Sequence, residues 1–286
     1  MKLPFMLASR FVAGETLASA LPAVDDLNKK GLHVALDLLG EHIHDREIAE
    51  DARDAYINLV RTLADRTPSG LRNRISIKLS MMGQMIDEAF CLDNLRQLLD
   101  VATERDMFVR LDMEGSDLTQ STLDLFETVY PEYPNHVGPV LQAMLKRTDE
   151  DIDRMCDLGA SVRLCKGAYG EPTSIAYQNM DVIRARYIDY AERLLTHTSY
   201  SGIATHDEQI INTVKSYAAE NDISPDTYEF QMLYGLRLET QEQMARDGYN
   251  MMVYVPYGAE WLPYFYRRLR ERKENVFFVL RTLFRS

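Results

Sequence analysis

The chain has 286 residues, 46% of them hydrophobic, and its 44 acidic side chains against 32 basic ones give a formal net charge of −12. That is enough apolar sequence to bury a sizeable core, while the acidic balance argues against nucleic acid as a partner, because phosphate binding normally needs a basic face. Three cysteines (Cys91, Cys156 and Cys165) form neither a paired framework nor a CxxC motif, as expected of a reduced, intracellular protein.

At the start, "MKLPFMLASRFVAGET" has too short an apolar block, with Arg10 soon after it, for a secretory signal. No apolar run in the chain approaches the roughly 18 residues that a membrane-spanning helix needs. From there, short β-prone runs alternate with longer segments of helical spacing. "HVALDLLG" from His33 is followed by the helical "EIAEDARDAYINLVRTLADR". Then come "RISIKLS" from Arg74, "FVRLDME" from Phe108, "VGPVLQAML" from Val137 and "SVRLCKG" from Ser161. A second clear helix, "DVIRARYIDYAERLLTHT", precedes "GIATH" from Gly202, "YEFQML" from Tyr228 and "NMMVYVPY" from Asn250. Turn signals ("TPSG", "YPNH", "NDISPDT") fall before the second, fourth and seventh runs. Strand alternating with helix implies right-handed crossovers and a parallel sheet. Eight such units in this length fit a (β/α)8 TIM-type barrel better than an open sheet, and the absence of GxGxxG counts against a Rossmann domain. No linker breaks the pattern, so one α/β domain spans 1–286.

A barrel places its chemistry at the C-terminal ends of its strands. Lys78, Asp112, Glu114, Gln142, Arg163, Lys166, His206, Gln231 and Tyr254 occupy such positions, drawn from seven of the eight runs. Packing alone gives little reason to gather them, which points to an enzyme. Lys78 in "SIKLS" reads as an edge lysine reaching solvent, a carboxylate-binding ammonium or a Schiff-base nucleophile. Asp112 and Glu114 fall on one side of a strand by alternation. They suit acid–base work, a metal, or the balancing of nearby cations.

In "VRLCKGAYGEP", Arg163 and Lys166 flank a strand end and Gly167 opens a turn whose N–H groups suit an anion, although such a pattern also occurs as a plain turn. Thr205 and His206 close another strand; a lone histidine is more often structural. His42 and His44 in "EHIHD" lack further ligands nearby and read as surface residues, so no metal is expected. Near the end, "EWLPYFYRRLRERKE" puts Tyr264, Arg267, Arg268 and Glu271 on one helical face. Alone, that is a solvated basic stripe. Beside Lys78 at the mouth of a barrel, two guanidiniums become a carboxylate clamp.

Taken together, "RFVAGET", "LDLLGE", "SIKLS", "LDME", "VLQAML", "RLCKGAY", "ATHDE", "YEFQMLYG", "VYVPYG" and "YFYRRLRER" resemble the proline dehydrogenase family, both its monofunctional bacterial members and the corresponding domain of bifunctional proline-utilisation proteins. The resemblance runs nearly end to end, in the family's order and spacing. It implies a distorted (β/α)8 barrel that binds FAD. The implied reaction oxidises L-proline to Δ1-pyrroline-5-carboxylate by hydride transfer from C5 to flavin N5, the first step of proline catabolism to glutamate, with electrons passed to a quinone.

Residue by residue, the resemblance implies that Arg267, Arg268 and Lys78 hold the substrate carboxylate. Tyr169, Leu233, Tyr254 and Tyr264 wall the proline ring. Asp112 and Arg163 match the catalytic positions, with Arg163 near flavin N5 and Asp112 ordering the charges around Lys78. Flavin contacts are implied for Leu141, Gln142, Arg163, Lys166, Gly167, Ala168, Thr205 and His206. Met144 stands where the family usually has tyrosine, Cys165 where it has valine and Lys273 where proline is common; none is a charged anchor. Relatives carry several helical turns before "RFVAGET", where nine residues precede Arg10 here, so a minimal member or one without its first helices is expected. The family also implies a cytoplasmic protein in transient contact with the inner face of the membrane. The helical "NVFFVLRTLF" is a candidate for that contact, although core packing suits it better. A pyrroline-5-carboxylate dehydrogenase is an implied partner. A flavin-free lysine aldolase, a silent amino-acid-binding protein and a hydroxyproline dehydrogenase are the alternatives.

Overall fold

A computed structural model of the chain describes residues 5–271. Eight parallel strands close into a barrel in sequence order, with β8 returning to pair with β1. They are β1 (His33–Leu38), β2 (Arg74–Ile77), β3 (Val109–Leu111), β4 (Val137–Gln142), β5 (Val162–Cys165), β6 (Ser201–Ala204), β7 (Tyr228–Leu233) and β8 (Met251–Tyr257). All eight runs read from the sequence form strands, though β2 and β3 stop early. β2 ends at Ile77, where Lys78 turns into a short 3-10 segment, and β3 ends at Leu111. Asp112 and Glu114 therefore lie beyond the strand, and the alternation that was expected to align them does not operate there.

Helix α1 (Leu17–Lys29) precedes the barrel and packs on β1 and β8. After β1 to β8 come, in turn, α2 (Arg46–Arg66), α3 (Glu88–Glu104), α4 (Ser116–Val129), α5 (Thr148–Leu158), α6 (Met180–His197), α7 (Glu208–Glu220), α8 (Leu238–Arg246) and α9 (Trp261–Glu271). Asp45, Asp87, Asn179 and Asp207 each cap the helix that follows by accepting backbone N–H bonds from its first turn. These caps fix the start of a helix just above a strand end, in the layer where chemistry belongs.

The lower barrel interior is polar. Glu229 accepts from Arg74 at 3.2 Å, Tyr200 at 2.9 Å and Gln231 at 2.6 Å. Burial alone would raise the Glu229 pKa, but Arg74, Tyr200 and Arg110 outweigh it and keep the carboxylate ionised. Arg110 crosses the interior to the Ser161 carbonyl and hydroxyl. Gly138 makes room for it, since a Cβ there would lie 2.1 Å from Ser161 O and 2.6 Å from Arg110 Nη1.

A second apolar cluster anchors α9. Ala8, Phe11 and Val12 from the N-terminal segment pack with Leu39, Leu236, Trp261, Tyr264 and Phe265. Ala13 N–H donates to Pro256 O at 2.9 Å, and Gly258 N–H to Gly14 O at 2.9 Å. The "RFVAGET" stretch thus clamps the helix that carries Tyr264, Arg267 and Arg268. The segment "NVFFVLRTLF", Lys273 and the side chain of Glu271 lie outside what is described.

Candidate active site

A cavity of about 510 Å³ opens at the C-terminal end of the barrel and takes residues from every strand end. It gathers all the substrate, flavin and catalytic residues implied by the family resemblance except Leu141. Val140 and Gln142 of β4 face the cavity, so Leu141 between them belongs to the apolar layer outside. Glu114 is absent from the lining as well. Its carboxylate turns to Ser80, accepting from Oγ at 2.8 Å and from N–H at 3.4 Å. Asp112 and Glu114 are thus separated in role, and His42 and His44 are exposed.

Closed-barrel order divides the cavity. The strand ends β8, β1 and β2 form one arc, together with α9; β4, β5 and β6 form the opposite arc. On the first arc, Lys78 Nζ donates to Asp37 Oδ1 at 2.8 Å, with both side chains nearly inaccessible. Burial opposes the ammonium, but Asp37, Tyr56 and Asp112 outweigh it, and the Lys78 pKa is raised. Asp37 is pushed up by burial and only partly restrained by Lys78; its Oδ2 has no hydrogen-bond partner among the described residues. Asp37 went unremarked in the sequence because it sits inside an apolar run. One charged residue in "HVALDLLG", one strand from Lys78, was the available signal.

Arg267 donates to Glu41 Oε1 at 3.2 Å, and Arg268 is buried with its guanidinium over the Tyr264 ring at 5.1 Å. Glu41, from the turn after β1, was also missed as a partner. Between the arcs, Asp112 accepts from Arg163 Nη1 at 2.6 Å through Oδ1 and from the Tyr254 hydroxyl at 2.7 Å through Oδ2. Asp112 therefore directly orders Arg163 and Tyr254, while the direct partner of Lys78 is Asp37. Arg163 also donates to Ser76 Oγ at 3.0 Å and lies over the Tyr254 ring. Burial, then Asp112 and Asp37, hold the Tyr254 phenol far above its ordinary pKa, so it stays a donor.

On the second arc, Gln142 Nε2 donates to Glu114 O at 2.9 Å, which fixes its amide plane. Gly167 has φ +107°, and a Cβ there would lie 2.5 Å from Met144 Sδ, so only glycine takes this turn closely packed. His206 Nε2 accepts from Leu233 N–H at 3.1 Å, which places the ring proton on Nδ1. Beyond these, Ile183, Arg184 and Tyr187 of α6 and Ile210 of α7 extend the lining outward. None of them stood out in the sequence, because each lies on a helix face of ordinary composition.

Residues 20–281 match the family model described as proline dehydrogenase. The chain belongs to the proline dehydrogenase family. It is 37% identical over 274 residues to Proline dehydrogenase 2 of Bacillus subtilis, covering 96% of this chain and 89% of that protein. It is 39% identical over 284 residues to Proline dehydrogenase of Deinococcus radiodurans, covering 98% and 91%. Among solved structures, proline utilization A (PutA) from Bdellovibrio bacteriovorus, inactivated by N-propargylglycine, superposes with a TM-score of 0.85 at 27% identity. That match covers 93% of this chain and 32% of the larger protein. Membership of the proline dehydrogenase family makes the chain an oxidoreductase, and its barrel agrees with the PutA fold.

Proposed function

We propose that the chain uses FAD to oxidise L-proline to Δ1-pyrroline-5-carboxylate. The observation that carries this reading is the convergence of Lys78, Arg267 and Arg268 on one arc of a cavity walled by Tyr169, Leu233, Tyr254 and Tyr264. Three cations suit a single carboxylate, and the aromatic and leucine side chains suit a small saturated ring.

The residues of the opposite arc fit a flavin. Val140, Ala204, Ile183 and Ile210, with Met232 of the adjoining β7, give apolar walls, and Gln142, Lys166, Thr205 and His206 give a polar rim. Gly167 leaves a backbone cradle that a Cβ would fill, and buried Arg163 Nε has no hydrogen-bond partner among the described residues. FAD bound against Gln142, Arg163, Lys166, Gly167, Ala168, Thr205 and His206 supplies a two-electron acceptor for a hydride from C5, with a quinone as the final oxidant.

The chain's own residues do the rest. Arg267, Arg268 and Lys78 hold the carboxylate and so orient C5. The tyrosine rings and Leu233 exclude water from the ring. Asp112 keeps Arg163 and Tyr254 in place and balances the Arg163 charge. The amine proton leaves to solvent as the ring is taken into the cavity, since no side chain among the described residues is committed to accepting it. A Schiff-base role for Lys78 is disfavoured, because Asp37 holds it protonated and a protonated amine is no nucleophile. Transient contact with a membrane surface would deliver electrons to the quinone, and a dehydrogenase would consume the product. Among the described residues no helix is long and apolar enough to cross a membrane.

The test is the visible spectrum of the purified protein, recorded without oxygen before and after L-proline is added. A flavin spectrum that bleaches supports the proposal. A flavin that stays oxidised would move the substrate, with 4-hydroxyproline tried next, and a colourless protein that takes up no FAD would sink it.

A further inference from the structure

We infer that Glu171 is a positioning residue that latches the cavity wall bearing Tyr169 to the start of α4. The turn between β5 and α6 carries Lys166, Gly167, Ala168 and Tyr169 into the cavity and then runs, mostly exposed, to Asn179. Its two flanks are tied to the β4–α5 connection. Met144 N–H donates to Lys166 O at 2.9 Å and Tyr177 N–H to Met144 O at 2.8 Å. Lys146 Nζ donates to Thr173 O at 2.9 Å and to Ser174 O at 3.2 Å. Nearer Tyr169, the Glu171 carboxylate ties the turn to the start of α4. Oε1 accepts from Ser116 N–H at 2.8 Å and Oε2 from Ser116 Oγ at 2.6 Å.

That contact completes a helix that lacks its own cap. Gly115 stands at the N-cap of α4 with no side chain to bond the first turn, and Glu171 supplies the missing acceptor from another loop. Its negative charge also faces the positive end of the helix. Glu171 is two residues from Tyr169, and its N–H donates to Tyr169 O at 3.1 Å. Ser116 is four residues beyond Asp112 on the connection that also brings Met113 to the cavity. The latch therefore spans the two loops between which a substrate ring would sit. It fixes the distance from Tyr169 to Asp112 without Glu171 touching the cavity. Freed from it, Tyr169 becomes a mobile wall, and ring binding weakens while the carboxylate clamp and Asp112–Arg163 pair remain.

This inference rests on the proline-oxidising function proposed above, and its test separates the two. Glu171→Ala and Ser116→Ala are prepared as FAD-loaded full-length proteins, alongside Glu171→Gln, whose amide oxygen still accepts one bond. Proline turnover is measured together with amide hydrogen exchange at Ser116. We expect Glu171→Ala to speed Ser116 exchange and to raise KM for proline roughly tenfold with kcat within about twofold of the parent, the pattern of lost binding. Glu171→Gln falls between, and Glu171→Ala with Ser116→Ala together costs no more than Glu171→Ala alone. Faster exchange with an unchanged KM would overturn the inference, leaving Glu171 only a helix cap. Unchanged exchange would overturn the latch itself. A parent protein that exchanges slowly at Ser116 yet leaves proline untouched would overturn the substrate assignment and, with it, the role given to Tyr169, while the latch contact stood.

Discussion

Lys78 and Asp37 meet at 2.8 Å in the floor of the cavity, both almost wholly buried, with Asp37 Oδ2 left without a hydrogen-bond partner among the described residues. Such a pair is costly to break from one side, because the remaining charge is stranded out of water. Asp37→Asn is expected to lose about 3–5 kcal/mol of stability in denaturant unfolding. Asp37→Asn combined with Lys78→Met should recover most of that loss but not proline binding. Recovery of binding in the double variant would show that Lys78 is dispensable.

The same pair sets a pH dependence. The folded-state pKa of Lys78 is raised, so its stabilising contribution is fully present below the ordinary lysine value of 10.5 and is lost only as pH rises through the raised value. The parent protein should therefore keep its affinity for proline between pH 7 and 10 as far as Lys78 is concerned. In Asp37→Asn, burial acts on Lys78 with less opposition and its pKa falls. KM for proline should then climb with pH across that window. Parallel KM–pH profiles for the two proteins would refute this account of Lys78.

Arg267 is less buried than Arg268 and shares its charge with Glu41, yet its planar fork suits two carboxylate oxygens at once. Arg267→Ala should raise KM for proline by on the order of 10²-fold, equivalent to about 2–3 kcal/mol. Arg267→Lys should restore only part of it, because a point charge cannot reproduce a forked contact. The check is KM against kcat: a fall in kcat alone would place Arg267 outside carboxylate binding.

The barrel was legible because each strand announced itself as a short apolar run between helical stretches, and all eight formed. The site was legible where charge interrupted apolar sequence at a strand end, as at Lys78, Asp112 and Arg163. What escaped was pairing. Alternation put Asp112 with Glu114, but β3 ends at Leu111 and the chain turns, sending one carboxylate to Arg163 and the other to Ser80. Asp37 and Glu41 hid in the first run and the turn after it, because a sequence shows charges but not which strand lies beside which. Leu141 shows a different limit: a neighbour of a lining residue in a strand turns its side chain the other way, into the apolar layer.

Gly167 offers a test of the flavin arc. Its φ of +107° disfavours any side chain, and a Cβ would also meet the Met144 side chain at 2.5 Å from Sδ. Gly167→Ala should shift the turn and weaken FAD binding at least tenfold, read by fluorescence titration of the apoprotein. Adding Met144→Ala removes the clash but not the backbone strain, so rescue should be partial. Full rescue would mean that crowding alone fixes the turn.

Phe11 ties the N-terminal segment to the active-site helix. It is fully buried, with its ring 6.4 Å from that of Phe265, one turn before Arg268 on α9. Truncating a buried phenylalanine costs about 3–5 kcal/mol when the site cannot collapse. Here the loss falls on the small cluster that seats α9 rather than on the main core, so function should suffer along with stability. Phe11→Ala is expected to raise KM for proline, because Arg267 and Arg268 ride on the helix it releases, while the affinity for FAD on the opposite arc changes little. Phe11→Leu, which keeps most of the buried volume, should restore both stability and KM. Equal loss of proline and FAD affinity would instead mean that the segment supports the whole barrel mouth and not α9 in particular.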